Sequence, residues 1–387
     1  MSAAPRTQWL TLAAAISAIS TVGIGLSLSI PLLSLRMAEA GFSARDIGLN
    51  TALGAIATLV FAPFVPHTAR HFGVRRLMLA ALVLGMACLL AFGLTRNFTL
   101  WFPLRLLFGA SLTVLFVMSE YWINAAAPPE RRGFIMGIYA TALALGFATG
   151  PALLGLTGTD GLIPFALGAG LFALAGVPVA LAGNGAPVLE GKGRIKLLAF
   201  LAGAPAATLA AFTFGVIETG AMSLLPVYAL RLDYGEARAA LCVSLFAIGS
   251  VLFELPIGYL SDRMDRRVLL FCVALAGLGG CLAAPFAGGF PGLAAVLLVW
   301  GGIVGALYPL GLAYLGARYS GPELATANAA FVMLYSLGML LGPPLLGAAM
   351  DLWNPHGLFG GMAALFAAYI AVITVRLWRE KATGLPA

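Results

Sequence analysis

The sequence predicts an all-α integral membrane protein: twelve transmembrane helices in two six-helix bundles related by a pseudo-twofold. Three observations carry this prediction. Hydrophobic residues make up 61% of the 387 residues and charged residues only 10%, a balance far from that of a soluble globular domain. Apolar runs of about 20 residues, enough to cross the hydrocarbon core of a bilayer, follow one another almost without a break. Finally, the chain repeats at half its length. Gly146-Phe147-Ala148-Thr149-Gly150-Pro151-Ala152-Leu153-Leu154-Gly155 reads G-x-x-x-G-P-x-x-x-G, and Gly338-Met339-Leu340-Leu341-Gly342-Pro343-Pro344-Leu345-Leu346-Gly347 reads the same 192 residues later. Two copies of one membrane unit are the usual build of a transporter, with the substrate site at the repeat interface.

Each span ends where charged or turn-forming residues interrupt an apolar run. In order they are Trp9–Leu35, Ile47–Pro66, Leu77–Leu94, Leu100–Asn124, Phe134–Leu156 and Gly161–Ala182, forming a first bundle over residues 1–183. The run after Arg6 is too long for the apolar region of a cleaved signal peptide and lacks a clear small-residue cleavage site, so it reads as an uncleaved first span. Residues 184–196 are Gly-rich and charged, too short for a domain, and read as a flexible tether. The second bundle, residues 197–387, holds Ala204–Leu230, Ala239–Leu260, Val268–Phe286, Leu293–Ala317, Glu323–Ala349 and Leu358–Arg376.

The net charge of +7 is not gathered into one patch, which argues against a nucleic-acid partner. Sixteen of the 22 Lys and Arg residues fall on the side shared by both termini and five on the other, with Arg105 inside a span. The positive-inside rule then puts both termini in the cytoplasm. The expected location is a bacterial inner membrane, the expected surroundings are lipid, and the expected functional unit is a monomer.

Between spans eight and nine the chain reads Gly258-Tyr259-Leu260-Ser261-Asp262-Arg263-Met264-Asp265-Arg266-Arg267. This resembles motif A of the major facilitator superfamily, G-x-x-x-D-R-x-G-R-R, with Asp265 in place of the usual Gly. In the first half the matching stretch, Pro66 to Arg76, has Arg70 at the Asp position, so the second-half copy is the expected cytoplasmic gate. Arg105-Leu106-Leu107-Phe108-Gly109 is similar to motif B, and the repeat in span five to motif C, with Gly155 one place late. A closer resemblance is to the bacterial YcaD-like branch, carried by Glu120-Tyr121-Trp122-Ile123-Asn124, Arg132-Gly133, Leu225-Pro226-Val227-Tyr228 and Leu307-Tyr308-Pro309-Leu310. The resemblance implies a major facilitator fold and transport, and motif C implies proton-driven antiport. Spaced glycines on a membrane helix also serve plain close packing. Gating is therefore expected at Gly258, Asp262, Arg263 and Glu254, and at Gly146, Gly150, Pro151, Gly342 and Pro343. Gly258 is expected to let helices approach closely, and Asp262 to cap a neighbouring helix.

Four ionisable residues lie within the spans: Arg105, Glu120, Glu218 and Glu254. An acid at the bilayer centre costs roughly 2.5–3.5 kcal/mol on insertion scales and marks a proton relay or substrate pathway. Glu218, near the middle of span seven, is the leading candidate for proton coupling, with Arg105 and Glu120 behind it. Phe214, Met222 and Leu225 share its helical face, and an aromatic and a thioether beside a carboxylate suit an amphipathic or cationic substrate. Arg105 and Glu120 are about 22 Å apart on one helix and do not pair. Glu120 lies where it could meet Arg131 or Arg132, and Glu254, about 12 Å from Asp262, belongs with the motif A charges. Tyr308, Asn328 and Tyr335 are further candidates for the cavity wall, although each could equally pack between helices.

Other chemistries find no support in these residues. His67 and His71 are spaced for a shared metal but have no third ligand nearby, so no metal is expected. Cys88, Cys242, Cys272 and Cys281 sit in apolar runs and form no C-x-x-C. HExxH, GxSxG and Walker A signatures are absent from the sequence, so neither an enzyme nor direct ATP use is expected. The expected function is secondary transport of a small amphipathic molecule by alternating access, driven by the proton gradient with no cofactor, and exporting by antiport. Symport or facilitated diffusion is the alternative within the fold, and a non-transporting membrane sensor or assembly partner the alternative outside it.

Overall fold

A computed structural model describes residues 5–95, 97–126, 132–182, 205–261, 263–318 and 321–383. These residues fold into helices α1 (Pro5–Glu39), α2 (Ala44–Phe61), α3 (Val65–Phe72), α4 (Val74–Leu94), α5 (Trp101–Ala126), α6 (Arg132–Thr157) and α7 (Ile163–Leu181). Beyond residues 183–204, which lie outside the described residues, come α8 (Pro205–Arg231), α9 (Glu236–Ser261), α10 (Arg266–Ala283), α11 (Phe290–Gly305), α12 (Leu307–Arg318), α13 (Gly321–Leu352) and α14 (Gly357–Thr383). Eleven stretches are long and apolar enough to cross a membrane, and a shorter one, Thr141–Thr157, supplies the fifth predicted span.

Fourteen helices serve twelve predicted spans because proline breaks two of them. Pro63 and Pro66 lack the N–H that would continue an α-helical ladder. The second span accordingly passes from α2 through a 3₁₀ turn, Ala62–Phe64, into α3. Pro309 has the same effect on the tenth span, where α11 ends at Gly305 and α12 starts at Leu307. Gly73, with φ 84°, turns the chain from α3 into α4 in a conformation that costs a residue without a side chain little.

The chain forms two compact units, Met1–Glu39 with Leu53–Lys192, and Ala40–Ala52 with Gly193–Ala387. Residues 44–52, about the first two and a half turns of α2, thus pack in the second unit although they lie in the N-terminal half of the sequence. The first unit is cored by Phe92, Trp101, Phe108, Phe165 and Phe172, packed mostly edge to face. In the second, Trp300 packs on Phe246 and Phe359, and its indole N–H donates to the Gly277 carbonyl at 2.9 Å. Leu94, Leu156, Phe286 and Leu352 are among the large apolar side chains left exposed, as expected where lipid rather than water is the solvent.

Within each unit one helix pair is packed most extensively: α1 on α6, and α8 on α13. Both crossings are made of glycine. A Cβ on Gly23 would stand 2.6 Å from the Leu143 carbonyl oxygen, one on Gly146 2.5 Å from that of Ser20, and one on Gly150 would strike Ser27. In the second unit, Gly215 lies against the Tyr335 carbonyl, Gly338 against that of Phe212, and a Cβ on Gly342 would stand 2.6 Å from the Val216 Cα. Gly23 and Gly215 are separated by the same 192 residues as the two motifs. The repeat seen in the sequence is therefore one half of a contact whose other half also repeats.

Candidate functional site

Glu218 lies on α8, the second unit's most enclosed helix. Its neighbours Ile217 and Thr219 are buried, whereas Glu218 keeps an accessible edge. The Tyr335 hydroxyl, from α13, donates to its Oε2 at 2.6 Å. No cation pairs with Glu218 among the described residues. Tyr335 stacks on Phe214 with ring centroids 5.9 Å apart, and Tyr308 from α12 meets both rings, at 5.3 Å to Tyr335 and 5.7 Å to Phe214. Phe331 closes the back of the cluster against Tyr308 at 4.9 Å. Phe214, Met222 and Leu225 are buried, and Tyr308 and Tyr335 share the partial accessibility of Glu218.

This brings together four residues predicted from three spans: Glu218, Phe214, Tyr308 and Tyr335. The break between α11 and α12 immediately precedes Tyr308, so the proline-induced kink sets where that ring enters the cluster. Chemically the arrangement is a carboxylate held by one phenol, backed by aromatic faces, and open on one side. It can take a proton or a cationic or hydrogen-bonding group of a substrate. Asn328 belongs to α13, but its side chain is outside the described residues.

The first unit holds the opposite charge. Arg105 on α5 is 4% exposed, and its Nη1 donates to the Ser29 hydroxyl of α1 at 3.0 Å. No carboxylate pairs with it among the described residues. Further along α5, the Thr113 hydroxyl shares a 3.0 Å hydrogen bond with that of Thr58. Glu120 is exposed near the end of α5, next to Ser119, whose hydroxyl is 3.1 Å from that of Tyr139. Arg131 and the side chain of Arg132, the expected partners of Glu120, lie outside the described residues.

Around the motif A stretch, Asp262 and the side chain of Glu254 also lie outside the described residues. Arg263 is exposed and stacks over the Tyr259 ring at 4.1 Å. Asp265, the departure from the motif, caps α10: its Oδ1 accepts the Arg267 N–H at 2.8 Å, and the Arg267 guanidinium approaches Oδ2 at 3.2 Å. Partial burial works against its ionisation, but these hydrogen bonds from Arg267 outweigh it and hold the carboxyl below the usual aspartate range. A glycine at this position would leave α10 without a side-chain cap. Among the described residues nothing lies within 4 Å of a Cβ on Gly258.

The sequence reading did not single out Ser29, Phe331, Gly23 or Gly215. The two glycines could have been found by applying the 192-residue offset to every glycine, not only to those in the G-x-x-x-G-P motif.

Comparison with known proteins agrees with this architecture. The sequence model of the Major Facilitator Superfamily matches residues 15–241 and 207–386. The MFS-type transporter YfkF of Bacillus subtilis, itself uncharacterized, is 28% identical over 95% of this chain and 94% of its own length. YcaD of Salmonella enteritidis, also uncharacterized, is 21% identical over 88% and 89%. Among solved structures, the nucleoside transporter NupG superposes with a TM-score of 0.77 at 17% identity, covering 96% of this chain and 99% of NupG. An inward-facing bacterial homologue of the human lysosomal transporter Spinster gives 0.77 at 14% identity, covering 96% of each. Helix content, half-length repeat and these likenesses agree: the chain is a transporter of the Major Facilitator Superfamily, an integral membrane protein and not an enzyme.

Proposed function

We propose that this transporter exchanges protons for a small amphipathic molecule, exporting it across a bacterial inner membrane with both termini cytoplasmic and as a monomer. The observation that carries the proposal is the hydrogen bond from Tyr335 to Glu218, the one acidic residue of α8, on an accessible edge of that helix. A carboxylate that meets no cation among the described residues is neutralised in this reading by a proton or by its ligand. In this reading Glu218 alternates between the two, Phe214 and Tyr308 support the apolar part of the substrate, and Tyr335 holds the carboxylate in place when the substrate is gone. Arg105 organises the polar centre of the first unit, and the charged turn from Asp262 to Arg267 works as the cytoplasmic gate.

The test is reconstitution in liposomes with a pH-sensitive dye inside, an imposed proton gradient, and a panel of cationic, neutral and anionic small molecules. Substrate-driven proton flux that disappears in Glu218→Gln is the expected result. Uptake of a compound that ignores both the gradient and Glu218→Gln would identify facilitated diffusion instead. Proton and substrate moving in the same direction would identify symport.

A further inference from the structure

The last glycines of the two motifs do different work. Among the described residues a Cβ on Gly155 meets nothing within 4 Å, whereas one on Gly347 would strike the Ala44 carbonyl at the start of α2. One turn further on, Gly48 of α2 lies against the Pro343 carbonyl. A turn beyond that, the Thr51 and Ser223 hydroxyls are 2.9 Å apart. Three successive turns of α2 are thus seated within the second unit.

The seat is locked at its end by Asp351. The first N–H groups of a helix have no partner inside the helix. Here the Asp46 N–H finds the Ser43 hydroxyl at 3.1 Å, and the Ile47 N–H finds the Ser43 carbonyl. The remaining two, those of Ala44 and Arg45, donate to the two oxygens of Asp351 at 3.1 and 2.9 Å. Asp351 in turn receives Arg231 Nη2 from the end of α8 at 2.7 Å, and Arg231 Nη1 donates to Asn354 at 2.9 Å. One carboxylate therefore caps a foreign helix and holds it to α8 and α13. The first unit has a counterpart at nearly the repeat distance, the Arg36–Asp160 pair. There the Asp160 side chain is 83% exposed against 28% for Asp351, and Arg36 is its partner. The pairing is shared by the two units; the cap belongs to the second.

We propose that Asp351 is a latch that keeps residues 44–52 on the second unit, and that its release is a required step each time this end of the transporter opens. The helix gives the latch its consequence. α2 runs on unbroken to Phe61, so freeing residues 44–52 frees the start of a longer helix. Glycine contacts and one hydroxyl pair give the seat its shape, and the charge at Asp351 gives it a single point of release.

Hydrogen exchange on the full-length protein in nanodiscs tests this. Losing two charge-assisted caps in Asp351→Asn should speed exchange over residues 44–50 by about tenfold or more. Exchange over 266–283 should stay unchanged, and Asp160→Asn should leave 44–50 unaffected. Arg231→Met should give a smaller acceleration in the same segment. In a chain whose four cysteines are replaced by serine, Ser223→Cys reports access beneath the latch. Its reaction with a charged, membrane-impermeant methanethiosulfonate should quicken when combined with Asp351→Asn. Unchanged exchange at 44–50 would overturn the latch, as would a uniform loss of protection across the second unit. Faster exchange without faster thiol reaction would overturn its role in opening.

Discussion

The two units share a skeleton and differ in the charge each keeps inside. Gly23, Gly146 and Gly150 in the first, and Gly215, Gly338 and Gly342 in the second, bring the same helix pair into backbone contact at the same repeat spacing. Apart from the Arg36–Asp160 and Arg231–Asp351 pairs, the polar groups described do not repeat. The first unit buries an arginine against the small Ser29 hydroxyl, and the second holds a glutamate under a tyrosine within an aromatic cluster. What was duplicated is packing, which any membrane bundle needs where lipid offers no hydrophobic drive between helices. What diverged is the side-chain chemistry, in part on the crossing helices themselves: Tyr335 meets Gly215 through its backbone and Glu218 through its hydroxyl.

The strongest way to break this comparison is to exchange charge for shape. Glu218→Gln keeps an oxygen for Tyr335, so the fold should survive while substrate-driven proton flux falls by about a hundredfold or more, given the usual scale of general acid–base and proton-carrying groups. The dye-loaded liposomes measure this, and near-parental flux would remove Glu218 from the mechanism. The skeleton should fail the opposite way. Gly150→Val and Gly342→Val each force a side chain into backbone contact and should cost about 2–3 kcal/mol or more. Thermal unfolding in detergent should lose stability by similar amounts for both; a large effect in one unit alone would show that the repeat is not mechanically equivalent.

Arg105 sharpens the comparison from the other side. A buried cation without a carboxylate is a cost that a well-packed apolar replacement can relieve. Arg105→Met should therefore leave the melting temperature unchanged or raise it while lowering transport, and a sharp loss of stability would make Arg105 structural. The smallest effect is expected outside the membrane. Asp265→Ala removes the α10 cap and should cost about 1 kcal/mol. Because the folded Asp265 carboxyl is held low, its contribution is complete above the unfolded value of about 4 and fades as pH falls through the folded one. Stability of Asp265→Ala and the parent, compared from neutral to acidic pH, should converge at the acidic end.

Much of the site was legible because an acid in an apolar run is conspicuous wherever it folds. Glu218 and its helical neighbour Phe214 followed from spacing alone. Tyr308 and Tyr335 were readable as aromatic residues on their spans, but not as partners. Tyr335 is 117 residues from Glu218, and a phenol at that distance carries no mark of what it will meet.

The sequence by itself determined the class of the protein, the number and order of its spans, and the existence of a duplicated unit. Bilayer thickness and backbone hydrogen bonding act on each apolar run separately, and a run is local. Tertiary structure alone decided that Gly23 and Gly215 complete the repeated crossings, that Tyr335 holds Glu218, and that Asp351 caps a helix some three hundred residues earlier in the chain. Each of these is a contact between groups distant in sequence. Packing of rigid helices chooses the partner there, and neither group carries a local sign of the other.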